Sequence, residues 1–163
     1  MKIYSKSDIG LVRKLNEDAC RSGVFDDGSA WAVVCDGMGG ANGGDVASGI
    51  AVEKIAAGII AVCRAGMGDG EIKSAVTGAI TRANAAVREK AKDDASLTGM
   101  GTTVVVAVVG SGKAHIAHAG DSRAYLLSPG SGIRQLTTDH SMVQEMVDKG
   151  DITKQQARIH PQK

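Results

Sequence analysis

The sequence predicts an α+β fold, a layered sandwich in which strands and helices are grouped along the chain instead of alternating. Short strand-like runs fill the first third, two helix-period patterns follow between residues 46 and 87, and β-branched runs return from Thr102 onward. A βαβ order is absent, and 163 residues suit one domain with a buried core.

The elements follow in order. Lys2–Ser7, Asp18–Val24 and Ala30–Cys35 read as strands separated by "NE" and "DDGS" turn chemistry. Val46, Ile50, Val52, Ile55, Ile59 and Cys63 then fall near one helical face. Ile72, Val76, Ala79, Ile80, Ala83 and Val87 make a second stripe at steps of three and four. "GMGDG" (Gly66–Gly70) breaks the chain between them. After a polar loop, Ala91–Gly101, the β-branched run Thr102–Val109 predicts a central strand covered on both faces. "AHIAHA", "RAYLL" and "IRQL" read as successive antiparallel strands joined by "GSGK" and "SPGSG" turns. Ser141–Val147 and Lys154–Ile159 predict short helices, the second opened by a capping box of Thr153 and Gln156.

Composition narrows the function classes. Aromatics are 2% of residues, so the core is aliphatic, and the 22 glycines exceed the usual share of about 7%. The formal net charge is +1 with Lys and Arg dispersed, which gives no nucleic-acid footprint. The three cysteines, Cys20, Cys35 and Cys63, form no C-x-x-C pair and read as small hydrophobes in a reducing compartment. The N-terminus lacks a signal-peptide apolar core, and no apolar run nears the ~20 residues of a membrane helix. A cytoplasmic protein with no membrane partner is expected.

Chemistry concentrates in acids placed at strand ends or tight turns: Glu17 and Asp18 in "VRKLNEDA", Asp36 in "VVCDGMGG" and Asp121 in "HAGDSRAY". Gathered carboxylates repel one another, and a hard divalent cation resolves that conflict. Oxygen-only ligands favour Mg²⁺ or Mn²⁺ over Zn²⁺. Without a Cβ at Gly37, Gly39 and Gly40, the backbone can approach a metal, and the Gly37 carbonyl is a candidate ligand. A helix starting near Asp45 would turn its N-terminus toward the site. The same glycines also suit a simple strand–turn–helix connection needing positive φ.

Phosphate-loop readings fail on spacing: no G-x-x-x-x-G-K-[ST] occurs, and Asn42 stands where the dinucleotide fingerprint requires its third glycine. Arg13, four residues before Glu17, suits bidentate phosphate binding beside an acidic metal site, although an Arg taken alone is more often a solvated surface residue. Arg123 reads as a structural ion-pair partner. His115 and His118 are an odd number apart on a strand and face opposite sides. Asp139 and His140 read as a helix cap, and Ser122 has no evident His partner for a nucleophilic triad.

Taken together, "DIGLVRKLNEDA", "VVCDGMGG", "MGTTVVV", "HAGDSRAYLL" and "LTTDHSMVQEMVDKGDIT" followed by "HP" resemble, in order and spacing, the metal-dependent (PPM, type 2C) serine/threonine protein phosphatases. The "DGMGG" form, with Met38 after the glycine, looks like the bacterial branch. The resemblance implies an α-β-β-α sandwich of two antiparallel sheets flanked by helices, with metals in a cleft at one end. It implies that Asp36 bridges two Mn²⁺ or Mg²⁺ ions, with Glu17 and the Gly37 carbonyl on one of them, and that Asp121 helps to hold a weaker third. Asp18 would hold metal-bound water, and Arg13 would bind the substrate phosphate. Met38 cannot act as the general acid that a His supplies in some members, so metal-bound water would donate the proton.

The implied activity is hydrolysis of phosphoserine and phosphothreonine on proteins, in signalling, with Ser/Thr kinases and their substrates among the partners. The family's "SDG" and "DN" aspartate motifs do not occur, so residues 1–163 are expected to be one incomplete catalytic domain lacking its C-terminal strands. Such a piece alone is expected to be inactive, and to pair with another copy or with its own remainder. A non-catalytic module of the same fold, binding phosphoproteins or another partner, is the alternative.

Overall fold

A computed structural model of the chain describes residues 1–39, 43–64 and 66–161. It divides into two compact units, Met1–His118 and Ala119–Lys163. The class is α+β with two antiparallel sheets and helices, as the sequence predicts.

In the first unit, β1 (Asp18–Val24) pairs with β2 (Ala30–Met38) from Asp18 opposite Asp36 to Val24 opposite Ala30. Helices α1 (Gly44–Val62) and α2 (Asp69–Asp93) follow, then a 3-10 turn at Ala95–Leu97. The chain returns as β3 (Gly101–Thr102), β4 (Val104–Gly110) and β5 (Lys113–Ala119). The sheet order is β1-β2-β4-β5, and β3 pairs with the end of β2.

Period-2 alternation decides which side is dry. Trp31, Val33 and Cys35 of β2 and Val104, Val106 and Val108 of β4 are buried in one cluster with Ala47, Ala51, Ile55 and Ile59 of α1 and Val76, Ala79 and Ala83 of α2. Gly23 lies opposite Trp31, and a Cβ there would stand 2.8 Å from the indole Nε1, so only glycine lets the ring lie over β1. Burial pushes the Cys35 thiol up to about 12 and raises Cys63, which keeps both protonated and inert.

Three strand expectations are corrected. Lys2–Ser7 is not a strand; the segment joins no ladder, and Tyr4 is 88% exposed. The run Thr102–Val109 is interrupted at Thr103 and is not covered on both faces. Val105 and Ala107 are half-buried, and Val34 on the neighbouring strand is 46% exposed. The run is apolar throughout because Val and Ala occupy both of its faces. Finally, β2 does not stop at Cys35 but continues through Asp36 and Gly37 to Met38, because β3 supplies a partner there: Gly37 faces Thr102 and Met38 faces Gly101.

In the second unit, β6 (Tyr125–Ser128) and β7 (Gly132–Gln135) form a hairpin, followed by α3 (Met142–Lys149) and α4 (Lys154–Arg158). Ser141 caps α3, its Oγ accepting from the Gln144 N–H at 3.2 Å, so the cap lies one residue beyond the Asp139–His140 pair. The predicted box on α4 is present: Thr153 Oγ1 accepts from Gln156 N–H at 3.2 Å, and Gln156 Oε1 accepts from Thr153 N–H at 2.7 Å. Among the described residues, no helix is long and apolar enough to cross a membrane.

Candidate metal centre

Asp36 is fixed by its backbone. Its N–H donates to Thr103 Oγ1 at 3.1 Å, and its carbonyl accepts from the Thr103 N–H at 2.9 Å and the Thr102 hydroxyl at 3.0 Å. Its neighbours Cys35 and Gly37 are buried, so alternation turns the exposed Asp36 side chain to the sheet face opposite the helices. Asp18 lies directly across the β1–β2 ladder and is also exposed. The Asp18 N–H donates to Asn16 Oδ1 at 3.0 Å, and Asn16 Nδ2 donates to Ser7 Oγ at 2.7 Å, which sets the entry to β1.

Glu17 sits where three chain segments meet. Its carbonyl accepts from the Gly37 N–H at 3.1 Å and from the Ser48 hydroxyl at 2.6 Å. Its side chain is 12% exposed, with Oε2 at 3.6 Å from Nη1 of Arg13. Its other oxygen, Oε1, is buried with no hydrogen-bond partner. Leaving a charged acceptor buried and unpaired costs upward of about 1–3 kcal/mol, which a cation ligated there would offset. The surrounding backbone is too close for side chains. A Cβ on Gly37 would stand 2.1 Å from the Gly44 carbonyl oxygen and 2.5 Å from that of Glu17, and one on Gly44 would stand 2.6 Å from Glu17 Oε1. The helix start is allowed by Gly43, which takes φ +88° before α1 begins.

The structure thus brings Arg13, Glu17, Asp18, Asp36 and Gly37 to one end of the first unit's sheet. Asp121 lies in the second unit, exposed, beside Gly120, whose carbonyl accepts from the His140 N–H at 3.0 Å. Arg123 does form a structural ion pair, and its partner is Asp139: Nε donates to Oδ1 at 2.8 Å and Nη2 to Oδ2 at 2.6 Å, an arrangement that pushes the guanidinium pKa up. Gly40 and Asn42 lie outside the described residues. Among the described residues, no three His, Cys, Asp or Glu side chains converge as a metal-binding cluster. The donors at hand are hard oxygens, and the orphaned Glu17 Oε1 is the one that a divalent cation fits.

Sequence reasoning missed Ser48, Thr102, Thr103 and Gly44. A Ser on a helix and a Thr pair opening a strand carry no special pattern. The doubled glycine at Gly43–Gly44, just before a helix start, was the one visible signal.

Residues 12–157 match the family described as Protein phosphatase 2C. The chain is 39% identical over 160 residues to the serine/threonine phosphatase stp of Listeria welshimeri, covering 97% of this chain and 62% of that protein. It is 32% identical to the serine/threonine protein phosphatase PstP of Mycobacterium tuberculosis, over the whole of this chain and 30% of that one. The crystal structure of serine/threonine phosphatase Stp1 from Staphylococcus aureus superimposes with a TM-score of 0.87 at 35% identity, over 95% of this chain and 60% of that one. The chain spans less than two thirds of the length of these relatives. The extent of these matches places the acidic sheet end within a known lineage: the chain belongs to the protein phosphatase 2C family.

Proposed function

We propose that this chain carries part of the catalytic domain of a phosphatase that hydrolyses phosphoserine and phosphothreonine on proteins, Ser/Thr kinases and their substrates among them. Glu17, Asp36 and the Gly37 carbonyl would hold Mn²⁺ or Mg²⁺, with Asp121 a ligand of a further ion. The observation that carries the reading is the buried, unpartnered Glu17 Oε1, set beside Asp36 and Gly37 in a segment matching the family. When bound, divalent cations supply Lewis-acid polarisation of phosphoryl oxygens and a lowered pKa for attacking water.

The chain's own residues do the rest. Arg13, with its side chain 65% exposed and 3.6 Å from Glu17, is free to turn its fork onto two phosphoryl oxygens and to balance charge developing there. Asp18, exposed across the ladder from Asp36, can accept a hydrogen bond from water and orient it. Met38, 57% exposed, offers no proton, so the leaving alkoxide would take its proton from water held at the site.

The test uses the full-length protein containing this sequence. Mn²⁺ should raise its melting temperature by mass action, and Asp36→Asn should remove most of that rise. Arg13→Ala should leave the rise intact and weaken turnover of a small aryl phosphate by about 2–4 kcal/mol of transition-state stabilisation. An equal Mn²⁺ response in wild type and Asp36→Asn overturns the ligand assignment. A full Mn²⁺ response without turnover of any phosphopeptide favours a binding module.

A further inference from the structure

The second unit carries an open cavity of about 560 Å³ whose lining includes Arg123, Thr138, Asp139, Ser141, Lys154 and Arg158. Three cationic residues and one carboxylate residue therefore line the same space. That carboxylate is already committed, because Asp139 receives both arms of the Arg123 fork. Lys154 and Arg158 make no ion pair among the described residues. They stand four residues apart on α4, so both heads project from one helical face. The capping box of Thr153 and Gln156 fixes that helix. Hydroxyls complete the lining: Ser141 Oγ accepts from Gln144 N–H, which leaves its own proton to donate, and Thr138 adds another.

We propose that this cavity binds a phosphate group, held by Lys154 and Arg158 with hydroxyl donors from Thr138 and Ser141. An ammonium, a planar guanidinium and hydroxyl donors around one space match a tetrahedral dianion with several acceptor oxygens better than a two-oxygen carboxylate. Like-charged Lys154 and Arg158 lining one cavity repel each other when it is empty, and an arriving dianion removes that repulsion. Two sources share this chemistry: the phosphomonoester of a phosphorylated protein and the inorganic phosphate that its hydrolysis releases. Choosing phosphate over other oxyanions rests on the phosphatase reading; the binding itself is measured without turnover.

The ¹⁵N-labelled full chain, kept in EDTA so that no metal draws phosphate elsewhere, is titrated with inorganic phosphate and with a peptide carrying one phosphoserine. Sodium chloride at matched ionic strength and the same peptide with Glu in place of phosphoserine are the comparators. Saturable shifts of the Thr138, Ser141, Lys154 and Arg158 amides are expected with phosphate. Binding should weaken at least tenfold in Lys154→Gln/Arg158→Gln, while the Tyr125–Gln135 hairpin amides stay in place. Tighter binding of the phosphopeptide assigns the cavity to substrate; tighter binding of inorganic phosphate assigns it to product. Shifts equal to those with chloride or with the Glu peptide, or undiminished in the double variant, overturn the proposal. That failure leaves the phosphatase reading standing, since that reading falls on the Asp36→Asn and turnover measurements instead.

Discussion

Gly37 and Gly44 both press against Glu17, but a side chain at each would meet a different kind of obstacle. At Gly37 the atoms in the way are backbone carbonyl oxygens at 2.1 and 2.5 Å, which move only if whole segments move. At Gly44 the nearest atom is the tip of the Glu17 side chain at 2.6 Å, with the Gly37 carbonyl carbon next at 3.0 Å. Gly37→Ala should therefore destabilise the protein by about 1–3 kcal/mol. Gly44→Ala meets a side-chain tip first and should cost less stability than Gly37→Ala, while displacing the carboxylate and losing the Mn²⁺-dependent rise in melting temperature. Thermal melts with and without Mn²⁺ separate the two, and a wild-type Tm for Gly37→Ala would show that the packing is looser than described.

Asp69 gives a pH prediction. The hydrogen bond from Lys113 Nζ at 2.7 Å, with the Lys113 charge and His115 adding to it, lowers its pKa below the ordinary 3.8. Folding favours the ionised form, so the stabilisation is present above 3.8 and is lost as the pH falls through the lowered value. The gap in urea midpoint between wild type and Asp69→Asn should narrow as the pH falls below 3.8 and close only below the lowered value. A gap independent of pH would exclude the contact. At this scale Asp36 was legible, since an acid interrupting a buried apolar run is conspicuous. Thr102 and Thr103, which grip its backbone, read as ordinary β-branched strand residues.

Among elements, the helical stripes were read well because their period shows in the sequence, and α1 and α2 lie where the stripes predict. What period cannot show is how closely two helices approach. Gly58 reads as a weak point within α1, yet a Cβ there would lie 2.9 Å from the Cβ of Ala79 on α2. Small residues face each other at the crossing, and Gly58→Val should cost about 1–3 kcal/mol in urea unfolding. An unchanged midpoint would mean that the helices stand further apart. The N-terminal segment failed for the complementary reason. Lys2–Ser7 has strand composition, but a strand exists only where another backbone completes its ladder, and that partner is not written in the segment itself.

For the molecule as a whole, the central question is sidedness. The β2 and β4 runs are apolar on both faces, so the sequence alone suggests cover on both, whereas the helices cover one. Val33 is fully buried and Val34, the next residue, is 46% exposed. Val33→Thr places a hydroxyl in the dry layer and should cost about 1–3 kcal/mol, whereas Val34→Thr should stay within about 0.5 kcal/mol. Equal costs in denaturant titrations of the two variants would show that the outer face is covered in solution. The division at His118–Ala119 was not legible either, because the chain crosses it within a run that reads as continuous strand.

The Glu17 carbonyl oxygen, shared by the Gly37 amide and the Ser48 hydroxyl, has a use apart from chemistry. In heavy water the Gly37 proton can be replaced by deuterium once the Glu17 segment lifts away and breaks that bond. One amide's lifetime is thus a clock on how often the acidic end of the sheet comes apart. It keeps time without substrate, product or turnover, and a cation bound to Glu17 would slow it.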